Sequence, residues 1–289
     1  MKNVLSILVA FMVSLPLMAQ HINPIFIGNI NPIVKDSILS DFNSGKYDSF
    51  LNRSVEPIPP GPCDYLYELN DTSGCDWNTI PWNNYAVVVI LPQFPNCPIY
   101  VNYEVRICPN NPSIRQINIL LFAQSIPNYA DCDSLTNYLN YGTDLEKAIK
   151  LEDLEEQLYF EISNYEAEQM ANFPPCDSIG NNLPQYIFYN KSTCRGKIKI
   201  TVLFDQQPDP LDIFFDVVCN REDSVCCRTI ISYCQDFFGN VTSQITKETT
   251  ETICQGAYPI EFDYEYIFDK FSTHTILYYE LFPCTNSCR

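Results

Sequence analysis

The chain is poor in the residues on which most enzyme chemistry rests. Two histidines in 289 residues leave little material for zinc sites or imidazole acid–base catalysis. Nine glycines, none clustered, provide no G-x-G-x-x-G or Walker loop to cradle a phosphate. Basic side chains number 17 against 35 acids, for a net charge of −18, which argues against a surface for nucleic-acid phosphates. G-x-S-x-G and H-E-x-x-H are both missing. His21 adjoins an expected leader cleavage point, and His274 alternates with Ile276 and Tyr278 on a strand face, so no Ser-His-Asp triad is expected. Neither a cofactor nor a metal ion is expected.

Long apolar runs are also scarce. The one present, Val4 to Leu17, follows Lys2 and precedes Leu17-Met18-Ala19, which reads as a secretory leader over residues 1–19. At about 14 residues it is shorter than the roughly 20 that span a bilayer. No membrane span and an extracytoplasmic, secreted or cell-envelope location are expected. Removing the leader takes away one lysine and no acid, moving the net charge from −18 to −19.

Cysteine, by contrast, is plentiful. The fourteen are Cys63, Cys75, Cys97, Cys108, Cys132, Cys176, Cys194, Cys219, Cys226, Cys227, Cys234, Cys254, Cys284 and Cys288. An even set in an exported chain predicts disulfides, and the absence of C-x2-C pairs argues against a metal cluster. Geometry removes some pairings. Cys97 and Cys108 bracket an alternating run; if it is one strand, its ends lie roughly 36 Å apart, against the about 7 Å that a disulfide tolerates. Cys227 and Cys234 are excluded likewise. Adjacent Cys226 and Cys227 point to opposite faces of a strand and are expected to take different partners. Cys132/Cys176, around a helical insert, and Cys194/Cys219, around a hairpin, are permissive brackets. The bonds are expected to tie strand to strand.

The pattern of the remaining chain predicts a mainly β protein, with sandwich-like antiparallel sheets, one helical insert and disulfide staples. Residues 20–62 form an Asn/Pro-rich arm and linker, ending in Glu56-Pro57-Ile58-Pro59-Pro60-Gly61-Pro62. Residues 63–130 form a β-rich module, with strands at Ala86–Leu91, Pro98–Cys108 and Ile114–Ala123. Residues 131–175 form the helical insert. There Thr143-Asp144-Leu145-Glu146 fits a capping box, and Leu151, Leu154, Leu158 and Ile162 recur at helical spacing, predicting a helix over 143–171 with a short one before it. Its acidic face is expected to be solvated. Residues 176–289 form a second β-rich module, whose Asp236-Phe-Phe-Gly-Asn240 is a hairpin turn. The Thr/Glu/Lys-rich stretch 242–252 is read as an exposed strand whose charges discourage aggregation.

Candidate sites are few. Trp77, Trp82, Asn83 and Tyr85 put both tryptophans beside amides, which suits a sugar ring or a partner's side chains, although indoles plugging the core beneath a disulfide-tied loop are the commoner outcome. Glu261, Asp263 and Glu265 share one strand face, opposite Phe262, Tyr264 and Tyr266. Arg195, Lys197 and Lys199 also share a face, and a cross-strand pairing of the two strips is expected. The functional expectation is a binding or surface-association protein, with adhesion as its leading role and a protein or glycan as partner. A carboxylate-dependent hydrolase of glycans and an architectural envelope component are the alternatives.

Overall fold

A computed structural model describes residues 25–30, 32–43, 74–125, 132–170, 173–176, 185–192, 194–203, 210–219, 226–248 and 275–286. The leader, both histidines, Cys63, Cys254, Cys288 and the acidic strip Glu261, Asp263 and Glu265 lie outside them.

Among the described residues ten strands form one mixed sheet: β1 (Ile25–Ile27), β2 (Asn83–Ile90), β3 (Pro98–Ile107), β4 (Ile114–Ser125), β5 (Tyr186–Ser192), β6 (Cys194–Leu203), β7 (Leu211–Val218), β8 (Cys226–Gln235), β9 (Val241–Glu248) and β10 (Thr275–Asn286). Among the described residues three α-helices accompany them: α1 (Pro32–Asn43), α2 (Asp133–Asn140) and α3 (Asp144–Glu168). The mainly β architecture with one long helix follows the sequence pattern. Pairing is not wholly antiparallel, because β1 runs parallel to β2 and β4 parallel to β5. The strands read as two modules share this sheet, and the arm supplies β1 and α1.

The sheet forks at β4. Its first residues, Ile114 to Gln116, pair with β5, while Phe122 to Ser125 pair with β7. One branch continues β5-β8-β9 and the other β7-β6-β10. Chain geometry explains the crossing point, since β5 ends at Ser192 and β6 begins at Cys194.

Both faces are covered. On one, Leu151, Leu154, Leu158 and Ile162 of α3 join Val87, Val101, Ile117, Ile187 and Ile231. On the other, Ile38 of α1 joins Val88, Tyr100, Leu121, Ile200 and Ile213. Strand β2 is sandwiched, which is why its run Ala86-Val-Val-Val-Ile90 is apolar without alternation. Strand β6 alternates instead: Ile198, Ile200 and Val202 enter the second core, so the intervening Lys197 and Lys199 face the other way. Helix α3 begins at the expected capping box, with Glu146 N donating to Thr143 Oγ1 and Thr143 N to Glu146 Oε2.

Four disulfides join described residues: Cys75–Cys108, Cys97–Cys132, Cys176–Cys234 and Cys219–Cys284. Cys194, Cys226 and Cys227 are also disulfide-bonded. Cys97 and Cys108 take different partners, as strand length demands. The two permissive brackets do not close: Cys132 reaches back to the start of β3, Cys176 reaches β8, and Cys219 reaches β10. Nor do the bonds tie only strand to strand, since Cys97–Cys132 joins a strand to the start of α2 and Cys75–Cys108 anchors the segment before β2.

Candidate functional site

Between the two branches, β4 lacks a strand partner on one edge, and α3 fills the gap. The backbone N–H of Ile119 donates to the Tyr159 hydroxyl at 2.9 Å. The Tyr159 ring stacks on Tyr189 of β5, centroids 4.0 Å apart, and Lys191 Nζ lies over both rings.

Around this stack the fork gathers six charges, five of them buried and Asp216 partly exposed. Lys191 lies near the end of β5, Arg195 and Lys197 near the start of β6, Asp216 lies on β7, and Glu152 and Glu155 come from α3. Lys191 Nζ donates to Glu155 Oε2 at 2.7 Å and to Glu152 Oε1 at 3.1 Å. Arg195 Nη2 reaches Glu152 Oε1 at 2.8 Å and also bonds Glu155, while its Nη1 bonds Asp216. Lys197 Nζ lies 2.5 Å from Asp216 Oδ1, 3.1 Å from Glu155 Oε2 and 3.4 Å from Glu152 Oε2. Three cations face three anions, so the cluster is neutral. Burial opposes ionisation of Glu152, but Arg195, Lys191 and Lys197 outweigh it and hold the carboxyl down at about 2. Glu155 is held well below its ordinary range by the same balance. For Lys197, burial wins over the carboxylates and lowers the ammonium.

The acidic face of α3 is therefore not simply solvated. Glu152, Glu155, Tyr159, Ser163 and Glu166 follow one another at three- and four-residue spacing, and all are buried. Glu166 accepts from Tyr103 Oη at 2.7 Å and pairs with Arg115. The signal was present in the sequence: these glutamates run beside the leucine stripe rather than opposite it. The cation partners differ from expectation too. β7 and β10 occupy the two edges of β6, so the opposed charges come from α3, Asp216 and, for Lys199, Glu280 of β10 at 2.9 Å.

The tryptophan stretch divides. Trp77 is 2% exposed and packs edge-on to Phe188 in a small core with Cys108, Ile114 and, half-buried, Cys75. Trp82 is half-buried and lies 4.2 Å from the Arg106 guanidinium, which also donates to the Trp77 carbonyl at 2.7 Å. Asn83 is exposed; Tyr85 is partly exposed and stacks on Tyr103. The four do not form one open aromatic platform.

Two surface features stand out. A groove of about 550 Å³ beside α3 has Tyr138, Phe160, Asp153, Glu156 and Glu161 in its wall. Burial raises the Glu161 pKa, while Glu156 pairs with Lys247 at 2.9 Å. The β8–β9 turn carries the second: Phe237 and Phe238 are 96% and 85% exposed. Asp236 fixes this turn by accepting from Phe238 N, Asn240 N and Asn240 Nδ2, and Gly239 supplies a φ of 86°. Strand β9 beyond it is exposed throughout.

The Sγ atoms of Cys194, Cys219 and Cys284 lie within 4.8 Å of one another. All three are disulfide-bonded, so none offers a thiolate to a metal. Among the described residues no helix is long and apolar enough to cross a membrane. No protein-family model, curated protein or solved structure matches the chain. Fold and site together define a disulfide-rich β protein, and its several disulfides are those of an oxidising, extracytoplasmic setting.

Proposed function

We propose that the exported chain is a binding or surface-association protein that engages its partner through the β8–β9 hairpin tip. The observation that supports this is the pair Phe237 and Phe238, held in water by a hydrogen-bonded turn. The turn is anchored from behind by Cys176–Cys234. Two adjacent aromatics fixed outward give a contact ready to lose water against a partner, with little ordering cost left at binding. Phenyl rings without a polar handle favour a protein's apolar pocket over a sugar as the occupant.

Labelled mature protein, wild type and Phe237→Ser/Phe238→Ser, would be applied to intact cells of the producing organism, with and without prior protease treatment, and to a glycan array. Saturable wild-type binding that falls at least tenfold in the double variant and disappears after protease supports the reading. Equal binding by both proteins, or none by either, overturns it. Variant-sensitive binding that survives protease and appears on the array places the partner among glycans.

A second reading, a carboxylate-dependent hydrolase of glycans, is favoured by the groove, where Glu161 carries a raised pKa near Asp153 and Glu156. Release of reducing sugar from a polysaccharide panel, lost in Glu161→Gln, would support it; no release would reject it.

A further inference from the structure

We propose that Lys197 and Asp216 are the precursors of an intramolecular isopeptide bond, an amide between Lys197 Nζ and Asp216 Cγ that covalently joins β6 to β7. The two residues are direct cross-strand partners, and Nζ already lies 2.5 Å from Oδ1. No backbone shift is needed to bring nucleophile and carboxyl together, which removes most of the entropic barrier to the step.

The surroundings supply the rest. Lys197 is 2% exposed, and burial favours the neutral amine that must attack. Glu152 Oε2 accepts no hydrogen bond and lies 3.4 Å from Nζ, so it has a free lone pair for a proton. Arg195 Nη1 bonds Asp216 Oδ2, where negative charge builds as the tetrahedral centre forms. The Asp216 side chain retains 26% exposure, leaving the expelled water a way out.

The step balances without a co-reactant. The ammonium passes one proton to Glu152, and the amine lone pair forms the N–C bond at Asp216 Cγ. The Cγ–Oδ1 bond then breaks. Oδ1 departs as water with two protons, one from Nζ directly and one returned by Glu152. No atom is oxidised or reduced. One positive and one negative charge disappear, leaving Lys191 and Arg195 against Glu152 and Glu155, so the buried cluster stays neutral. Neutralising the buried Lys197 ammonium also removes its desolvation penalty. Glu152, held at about 2 by its cations, keeps a proton only briefly, which suits a slow event that happens once per chain.

Intact mass of the mature wild-type chain, with all disulfides reduced and alkylated, tests this. The expected mass is lower than the sequence mass by one water, and tryptic digestion yields a branched peptide joining residues 196–199 to residues 200–221. Asp216→Asn reaches the identical product mass by losing ammonia instead. Lys197→Arg, which keeps the charge, runs at its full sequence mass. A wild-type chain at full sequence mass overturns the proposal, and so does a water deficit that persists in Lys197→Arg. The wild-type measurement needs no variant to fold.

Discussion

The Tyr159 ring lies flat on Tyr189 while its hydroxyl accepts the backbone N–H of Ile119, so one side chain closes both the aromatic stack and the gap in β4. Removing only the hydroxyl separates these roles. Tyr159→Phe keeps the stack and leaves a buried N–H without its acceptor, an expected loss of about 1–3 kcal/mol. Urea unfolding measures it; a midpoint equal to wild type would show that the gap is satisfied by another group.

Glu155 touches all three cations of the fork. Glu155→Gln leaves positive charge buried without compensation, and breaking such a network costs about 3–5 kcal/mol. The same exchange at exposed Glu168 is expected to change stability by less than about 0.5 kcal/mol. Paired denaturation curves compare the two.

Acid should undo the cluster in a defined window. The folded-state pKa values of Glu152 and Glu155 are lowered, so their contribution is complete above the unfolded carboxyl value of about 4.3 and is lost as pH falls through the folded values, to about 2 for Glu152. Urea midpoints followed down this range are expected to drop, and less steeply in Glu152→Gln. A variant as steep as wild type would assign the acid sensitivity elsewhere.

The two tryptophans should behave differently. Trp77→Ala empties a core position and is expected to cost about 3–5 kcal/mol. Trp82→Ala loses chiefly its contact with Arg106, about 0.5–2 kcal/mol. Equal costs in thermal unfolding would contradict the burial difference between them.

Much of the fold was readable from pattern. Pro98–Ile107 matches the strand expected over Pro98–Cys108 to within one residue, and Thr143 with Glu146 marks the start of α3. Pairing was not readable, because period-two alternation says which face a residue takes but not which strand lies beside it. β1 has three residues, too few to show alternation, although Pro32 at the first position of α1 is a recognisable helix start. The cationic face of β6 is legible in its alternation, but the strip at 261–265 is not its partner. The partners lie on α3, on β7 and, for Lys199, on β10; those on α3 escape the pattern because acids on a helix are ordinarily assigned to water. The aromatic hairpin tip was read only as a turn, where exposure of Phe237 and Phe238 depends on what the rest of the chain leaves uncovered.

The Cys219–Cys284 bond links β10 to the end of β7 across the strand that separates them. A single peptide-bond cleavage anywhere between those two cysteines therefore releases nothing. The C-terminal strand stays tethered to the body through sulfur, and a nicked molecule migrates as one species until a reductant is added.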